Sequence, residues 1–297
     1  MRRWLAAVAL GGLTALTLGG CALPAGVDGN LTDDWAAIGE PVAVVPAVGA
    51  CHPRFVEVGF LSSYQPVECA EQHDAETLYV GTFTGAEADR ATPPPDGSPA
   101  WRTARAECDT KVNEVVGGDW RAGRLTLSLI PPSNYAWSGG ARWFRCDVGE
   151  IDGLDNRDVV ARTGSLKGAM SGASALAYGC FNPKLDADGE ILEMQPVNCT
   201  AKHNTEFAGI WNGPDVSYDA LLKDKGRIER GCLAAIASFA KVPNNGDMKY
   251  RSGWITYYPG EAEWDAGNRG VHCFLWLDKR QVTRSLRGAG SGGLPIN

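Results

Sequence analysis

The chain opens with two arginines, Arg2 and Arg3, and an apolar run from Trp4 to Leu18, with no acidic residue before Asp28. A basic start followed by a short, Gly- and Ala-rich apolar stretch predicts a signal peptide over residues 1–20, too brief for a permanent membrane span. The pattern then dissolves. Residues 21–48 carry Pro24, Gly26, Gly29, Pro41 and Pro46 without helical periodicity, and are expected to form a flexible tether. From Arg54 to Leu61 and from Thr77 to Phe83, β-forming residues alternate or cluster as in strands. A helix follows: Ser98 caps it, Pro99 fills its first turn, and Trp101, Ala104, Cys108, Val112 and Val115 recur at three- or four-residue spacing as one buried stripe. Gly117-Gly118 ends it, and Arg124–Ile130 and Arg142–Val148 read as two further strands, giving the order ββαββ.

The same order returns about 130 residues later, with a helix over Ala220–Phe239 and late strands over Gly253–Tyr258 and Val271–Leu277. Side-chain chemistry repeats with it. Gln65 to Glu76 and Gln195 to Glu206 both read Q-P-V-x-C-x-x-x-H-x-x-E. Pro132 to Cys146 and Pro259 to Cys273 both read P-x4-W-x2-G-x-R-x3-C, and T-x-S-L-[K/R]-G closes each copy at Thr163–Gly168 and Thr283–Gly288. Three motifs in one order imply tandem duplication. The expected organisation is domain 1 over residues 49–168, a linker over 169–175, domain 2 over 176–290 and a tail over 291–297. The fold class is α+β, each domain a helix packed on a small antiparallel sheet.

Nine cysteines change the picture from a simple sandwich to a cross-linked one. Apart from Cys21 they fall four to a copy: Cys51, Cys69, Cys108 and Cys146, then Cys180, Cys199, Cys232 and Cys273. An even count per copy in an exported chain points to disulfides. Four cysteines allow three pairings. First with second and third with fourth is favoured, because the first pair brackets a hairpin and the second ties a helix to a late strand. With no Cys-x-x-Cys, a zinc site is disfavoured.

Cys21 has a different use. It ends Leu18-Gly19-Gly20-Cys21, the pattern of a bacterial lipobox, and is the expected acylation site and sole membrane anchor. Loss of Arg2 and Arg3 with the signal leaves 26 basic against 35 acidic residues, a net charge of −9. That argues against nucleic acid as a partner. The expected partners are the membrane, through the acyl anchor, and an envelope protein or wall component, at the outer face of the cytoplasmic membrane.

His73 with Glu76, and His203 with Glu206, are the candidate polar site. An imidazole beside a carboxylate suits acid–base work or metal ligation, although a hydrogen bond that fixes the turn after the cysteine is the favoured reading. No third histidine is shared, since His52 and His272 stand where the other copy has Phe181 and Arg145. Trp137 with Arg142, and Trp264 with Arg269, are candidate binding residues for a sugar or carboxylate, with core packing the plainer alternative. Ser238-x-x-Lys241 lacks the accompanying motifs of acylating serine enzymes. No cofactor motif occurs, and no metal or catalytic set is complete.

These motifs together, P-V-x-C-x-x-x-H-x-x-E, a helical cysteine and W-x2-G-x-R-x3-C, resemble the septum formation family of actinobacterial envelope proteins over both copies. One departure is Gln72 and Lys202 directly before the histidines, where that family often has Pro. The resemblance implies a lipid-anchored, non-catalytic binding or scaffolding role in septum formation or envelope biogenesis. The alternative is an envelope hydrolase or metal-dependent enzyme using the repeated His/Glu pairs.

Overall fold

The computed structural model describes residues 44–296, so the signal peptide, Cys21 and nearly all of the expected tether lie outside the described residues. In the first half, β1 (Cys51–His52), β2 (Ala75–Thr82), β3 (Leu125–Ile130) and β4 (Trp143–Ile151) form an antiparallel sheet ordered β1-β2-β4-β3, with β5 (Val159–Val160) on β4. Its helices are α1 (Pro99–Val116) and the single turn α2 (Asn134–Ser138). In the second half, β6 (Cys180–Leu185), β7 (Ile191–Val197), β8 (Thr205–Asn212), β9 (Gly253–Tyr257) and β10 (Gly270–Trp276) are ordered β7-β6-β8-β10-β9. They carry α3 (Tyr218–Lys223), α4 (Lys225–Ala240), α5 (Glu261–Asp265) and α6 (Gly290–Gly293). The α+β class stands, as two antiparallel sheets each covered by a helix.

Local chemistry accounts for the elements. Ser98 Oγ accepts from Trp101 N at 3.2 Å at the start of α1, and Gly117 closes it at φ 83° in the left-handed region. Trp101, Ala104, Cys108 and Val112 are buried as the spacing predicts, and Val116 rather than the half-buried Val115 completes the stripe. The helix expected over Ala220–Phe239 is broken at Asp224, whose backbone leaves the helical region and whose carboxylate accepts from Arg227 N at 3.1 Å to cap α4. The strand expected over Arg54–Leu61 does not form. Pro53 follows β1 without a donor to extend the ladder, and only Gly59 of that segment bridges, to Pro132.

All four disulfides follow the favoured pairing: Cys51–Cys69, Cys108–Cys146, Cys180–Cys199 and Cys232–Cys273. Cα–Cα distances of 5.2–5.5 Å suit the bond. The two longer links pin α1 to β4 and α4 to β10 from inside the cores, where all four of their cysteines are fully buried. A β-bulge recurs between β2 and β4 and between β8 and β10, at Leu78 and at Ala208.

The halves share a seam. Arg121, buried just after α1, donates from Nη2 to Asp109 Oδ2 at 2.5 Å and from Nε to Asn268 Oδ1 at 2.9 Å, with its guanidinium 4.6 Å from the centre of the Trp120 ring. Its carbonyl accepts from His272 Nε2 at 2.8 Å. Asp155 accepts from Tyr257 Oη and Met194 N, and Arg157 pairs with Glu263 at 3.1 Å. Residues 169–175, expected as a linker, lie packed: Met170 N donates to Val116 O at 2.8 Å, and Gly123 bridges Ala177 just beyond. Leu294, in the expected tail, is fully buried in the core of the second half.

Candidate functional site

The repeated His–Glu pairs are built at the entry to β2 and β8, and each meets the closing motif of its own copy. His73 exchanges both backbone hydrogen bonds with Arg162, at 3.0 and 2.9 Å, and His203 does the same with Val282, at 2.9 and 2.8 Å. Each imidazole donates from Nδ1 to the carbonyl two residues before it, Glu71 or Ala201. Glu76 accepts from Ser165 Oγ at 2.7 Å and Leu166 N at 2.6 Å. Glu206 accepts from Ser285 Oγ at 2.6 Å and Leu286 N at 2.8 Å. A buried carboxylate thus clasps the T-x-S-L-[K/R]-G segment in both halves, and two of the three repeated motifs are the two ends of one contact.

The clasps differ in one bond. His203 Nε2 lies 3.2 Å from Glu206 Oε1, whereas His73 Nε2 has no partner among the described residues. His73 and His203 are 0% exposed, Glu76 3% and Glu206 2%, so neither pair presents an atom to a substrate. Potential metal donors do converge within 4.8 Å, as Cys51, Cys69 and Glu76 and as Cys180, His203 and Glu206. Their sulfurs are disulfide atoms rather than thiolates, and each carboxylate already accepts from the closing segment of its half.

Trp137 and Arg142 form a knot. The indole, 1% exposed, donates to Arg90 O at 2.7 Å, while the guanidinium lies 4.2 Å from the centre of the ring and donates to Ala88 O and Trp137 O. Trp264 and Arg269 repeat it, through Val216 O, Trp264 O and the Asp215 carboxylate, with the cation 4.4 Å from the ring centre. Each knot fastens the loop that precedes the main helix. The stacking geometry expected for a ligand is filled by the protein itself.

A polar cluster escapes motif reading altogether. Thr77 Oγ1 donates to Asp147 Oδ1 at 2.7 Å, and Asp147 pairs with Arg145 at 3.1 Å. Because Thr77 has given away its one hydrogen, His52 Nε2, 2.8 Å away, is the donor to it, which leaves Nδ1 without a partner among the described residues. All four residues are buried, and Tyr64 lies over both His52 and Arg145. Burial, with repulsion from Arg145 behind it, lowers the His52 pKa to about 4. Burial also raises Asp147 to about 6, against the opposing pull of Arg145 and Thr77. The signal was polar residues at positions where the second copy is aromatic, His52, Thr77, Arg145 and Asp147 against Phe181, Phe207, His272 and Phe274, legible only once both copies are aligned strand by strand.

One cleft of about 1130 Å³ lies along the seam, open to solvent and walled from the first half by Arg124, Asp152 and Asp155 and from the second by Tyr178, Leu192 and Met194. Burial raises the Tyr178 phenol to about 12. Charged, aromatic and aliphatic groups share the lining of this cleft, with Leu192 exposed on it.

A family model described as septum formation matches residues 48–273, more than half of the chain. No curated protein and no solved structure matches it.

Proposed function

Since the chain belongs to the septum formation family, we propose that it is a non-catalytic binding or scaffolding protein, lipid-anchored at the outer face of the cytoplasmic membrane, acting in septum or envelope biogenesis. The observation that carries this reading is the enclosure of both His–Glu pairs: both histidines are fully buried, and each carboxylate is engaged in holding the closing segment of its own half. Recognition falls instead to the seam cleft, whose walls come from both halves, so a partner is held only when the two are folded together. The partner is an envelope protein or wall component, and Cys21 supplies the anchor through its acyl chains.

The test is crosslinking of the full-length protein in cells, with partners identified beside two variants. Leu192→Asp, on the cleft, is expected to lose the crosslinks at normal protein level, and Cys21→Ala to release the protein from the membrane fraction. Hydrolysis of an envelope substrate by the wild type, abolished in a folded His73→Gln/His203→Gln variant, would overturn the reading in favour of an enzyme.

A further inference from the structure

The strand registers relate the halves residue by residue at one sheet edge. Leu129 lies opposite Cys146 and Leu125 opposite Glu150 in the first half. Thr256 lies opposite Cys273 and Gly253 opposite Trp276 in the second. Counting from the equivalent cysteines, Arg251 takes the place of Arg124, and Leu277 that of Glu150. In the first half Glu150 sits between two guanidiniums, 3.3 Å from Arg124 and 3.3 Å from Arg162. In the second half the carboxylate is gone, Val282 stands in place of Arg162, and Arg251 remains, with Arg280 approaching from a new position.

Arg251, only 6% exposed, donates from Nη1 to Leu294 O at 2.7 Å. Its Nε, the hydroxyl of Ser252 and Nη2 of Arg280 are buried with no hydrogen-bond partner among the described residues. These three residues, with Lys249, Tyr250 and Trp276, wall one open pocket of about 400 Å³. Lys249 lies 4.9 Å from the centre of the Tyr250 ring. Asp278 also reaches the pocket, but among the described residues no carboxylate comes within ion-pairing distance of Lys249, Arg251 or Arg280. Buried donors left unpaired are costly, and three cations in one pocket repel one another, so the site is completed by an anion from outside.

We propose that this pocket binds a phosphate group, with Arg251, Ser252 and Arg280 as its donors and Lys249 at its mouth. Two guanidiniums, an ammonium and a hydroxyl outnumber the acceptor positions of a single carboxylate and match the several oxygens of a phosphate. The volume exceeds that of the bare ion and leaves room along Trp276 and Tyr250 for whatever carries it. Free phosphate and the phosphate of a lipid headgroup share this chemistry. The site is separate from the seam cleft, so its failure leaves the binding role untouched.

The experiment is titration calorimetry of the full chain with inorganic phosphate at constant ionic strength, beside flotation with phosphatidic acid vesicles and with phosphatidylcholine vesicles as control. The expected result is saturable one-to-one phosphate binding that weakens at least tenfold in Arg280→Gln and in Lys249→Gln. Neither side chain makes a hydrogen bond within the described residues, so both variants keep the fold, checked by circular dichroism. Flotation with phosphatidic acid alone, lost in the same variants, supports the site with a lipid as the source of the phosphate. Absence of both signals in the wild type, or equal binding in both folded variants, would overturn the proposal.

Discussion

On the sheet face turned away from α1, the first half buries His52, Thr77, Arg145 and Asp147 as a hydrogen-bonded chain. At the equivalent places the second half has Phe181, Phe207, His272 and Phe274, packed as aromatic pairs with centroids 5.4–6.1 Å apart. Register, bulge and disulfides are the same in both. One backbone therefore accepts two kinds of interior, provided each is complete within itself. A polar interior is satisfied bond by bond and fails when one member is removed, whereas an aromatic interior is held by area and shape and loses energy in proportion to what is cut. The edge positions teach the same lesson: with Leu277 in place of Glu150, Arg251 keeps a guanidinium without the carboxylate that its counterpart Arg124 has, and a ligand completes the set.

The comparison is broken most severely by removing the core cross-links. Cys108→Ala/Cys146→Ala and Cys232→Ala/Cys273→Ala are each expected to cost about 4 kcal/mol, from closed loops of similar length. Because Arg121, Asn268 and Asp155 join the halves, calorimetry should still record one unfolding transition in either variant; two separated transitions would show that the seam does not couple them. Asp147→Ala should cost about 3 kcal/mol by stranding the buried Arg145, and Phe274→Ala about 4 kcal/mol by leaving a cavity. Asp147→Leu should recover much of the first loss only when Arg145→Met accompanies it, read from urea midpoints. Glu206→Ala is expected to cost about 3 kcal/mol and Glu76→Ala about 2 kcal/mol, the difference lying in the extra contact to His203.

The smallest effect is on acid stability. His52 and His272 are each lowered from 6.5 to about 4 by burial, so the stability they contribute is complete above pH 6.5 and lost as pH falls toward 4. Asp147, raised from 3.8 to about 6, has the opposite sign: its cost at neutral pH is relieved as pH falls through 6. The first half therefore carries compensating terms and the second does not. Fluorescence between pH 7 and 3 should show His272→Gln and His52→Gln each moving the acid midpoint lower, since each removes a term of the same sign and similar size from one cooperative transition. An unchanged midpoint in both folded variants would refute this sign.

Short-range chemistry made much of this legible in advance. Ser98, Pro99 and Gly117 delimit α1, and cysteine order suggested the pairing because consecutive cysteines bracket consecutive elements. What escaped depends on residues distant in the chain. Glu76 and Ser165 both lie in recognised motifs, yet nothing local says that they touch. Arg121 belongs to no repeated motif, and its partner Asn268 lies 147 residues later. Asp224 has the residue type of a cap, but its place inside an apolar period hid the break between α3 and α4. The interior of the first half was hidden for a related reason, since His52 and Asp147 are polar residues at strand positions that a period-two reading assigns to solvent.

The order of the disulfides has a consequence for biogenesis. From Cys51 onward every cysteine is bonded to its immediate neighbour in the series, with no interleaving and no link across the seam. A chain that emerges amino end first into an oxidising space presents each odd cysteine with its correct partner as the next thiol to arrive. Oxidation in order of appearance then yields the native set directly, and the first half can be locked before Cys180 has emerged. Reshuffling by an isomerase becomes a repair step instead of a requirement, and fully reduced protein should recover its native bonds faster when oxidised during synthesis than when oxidised all at once.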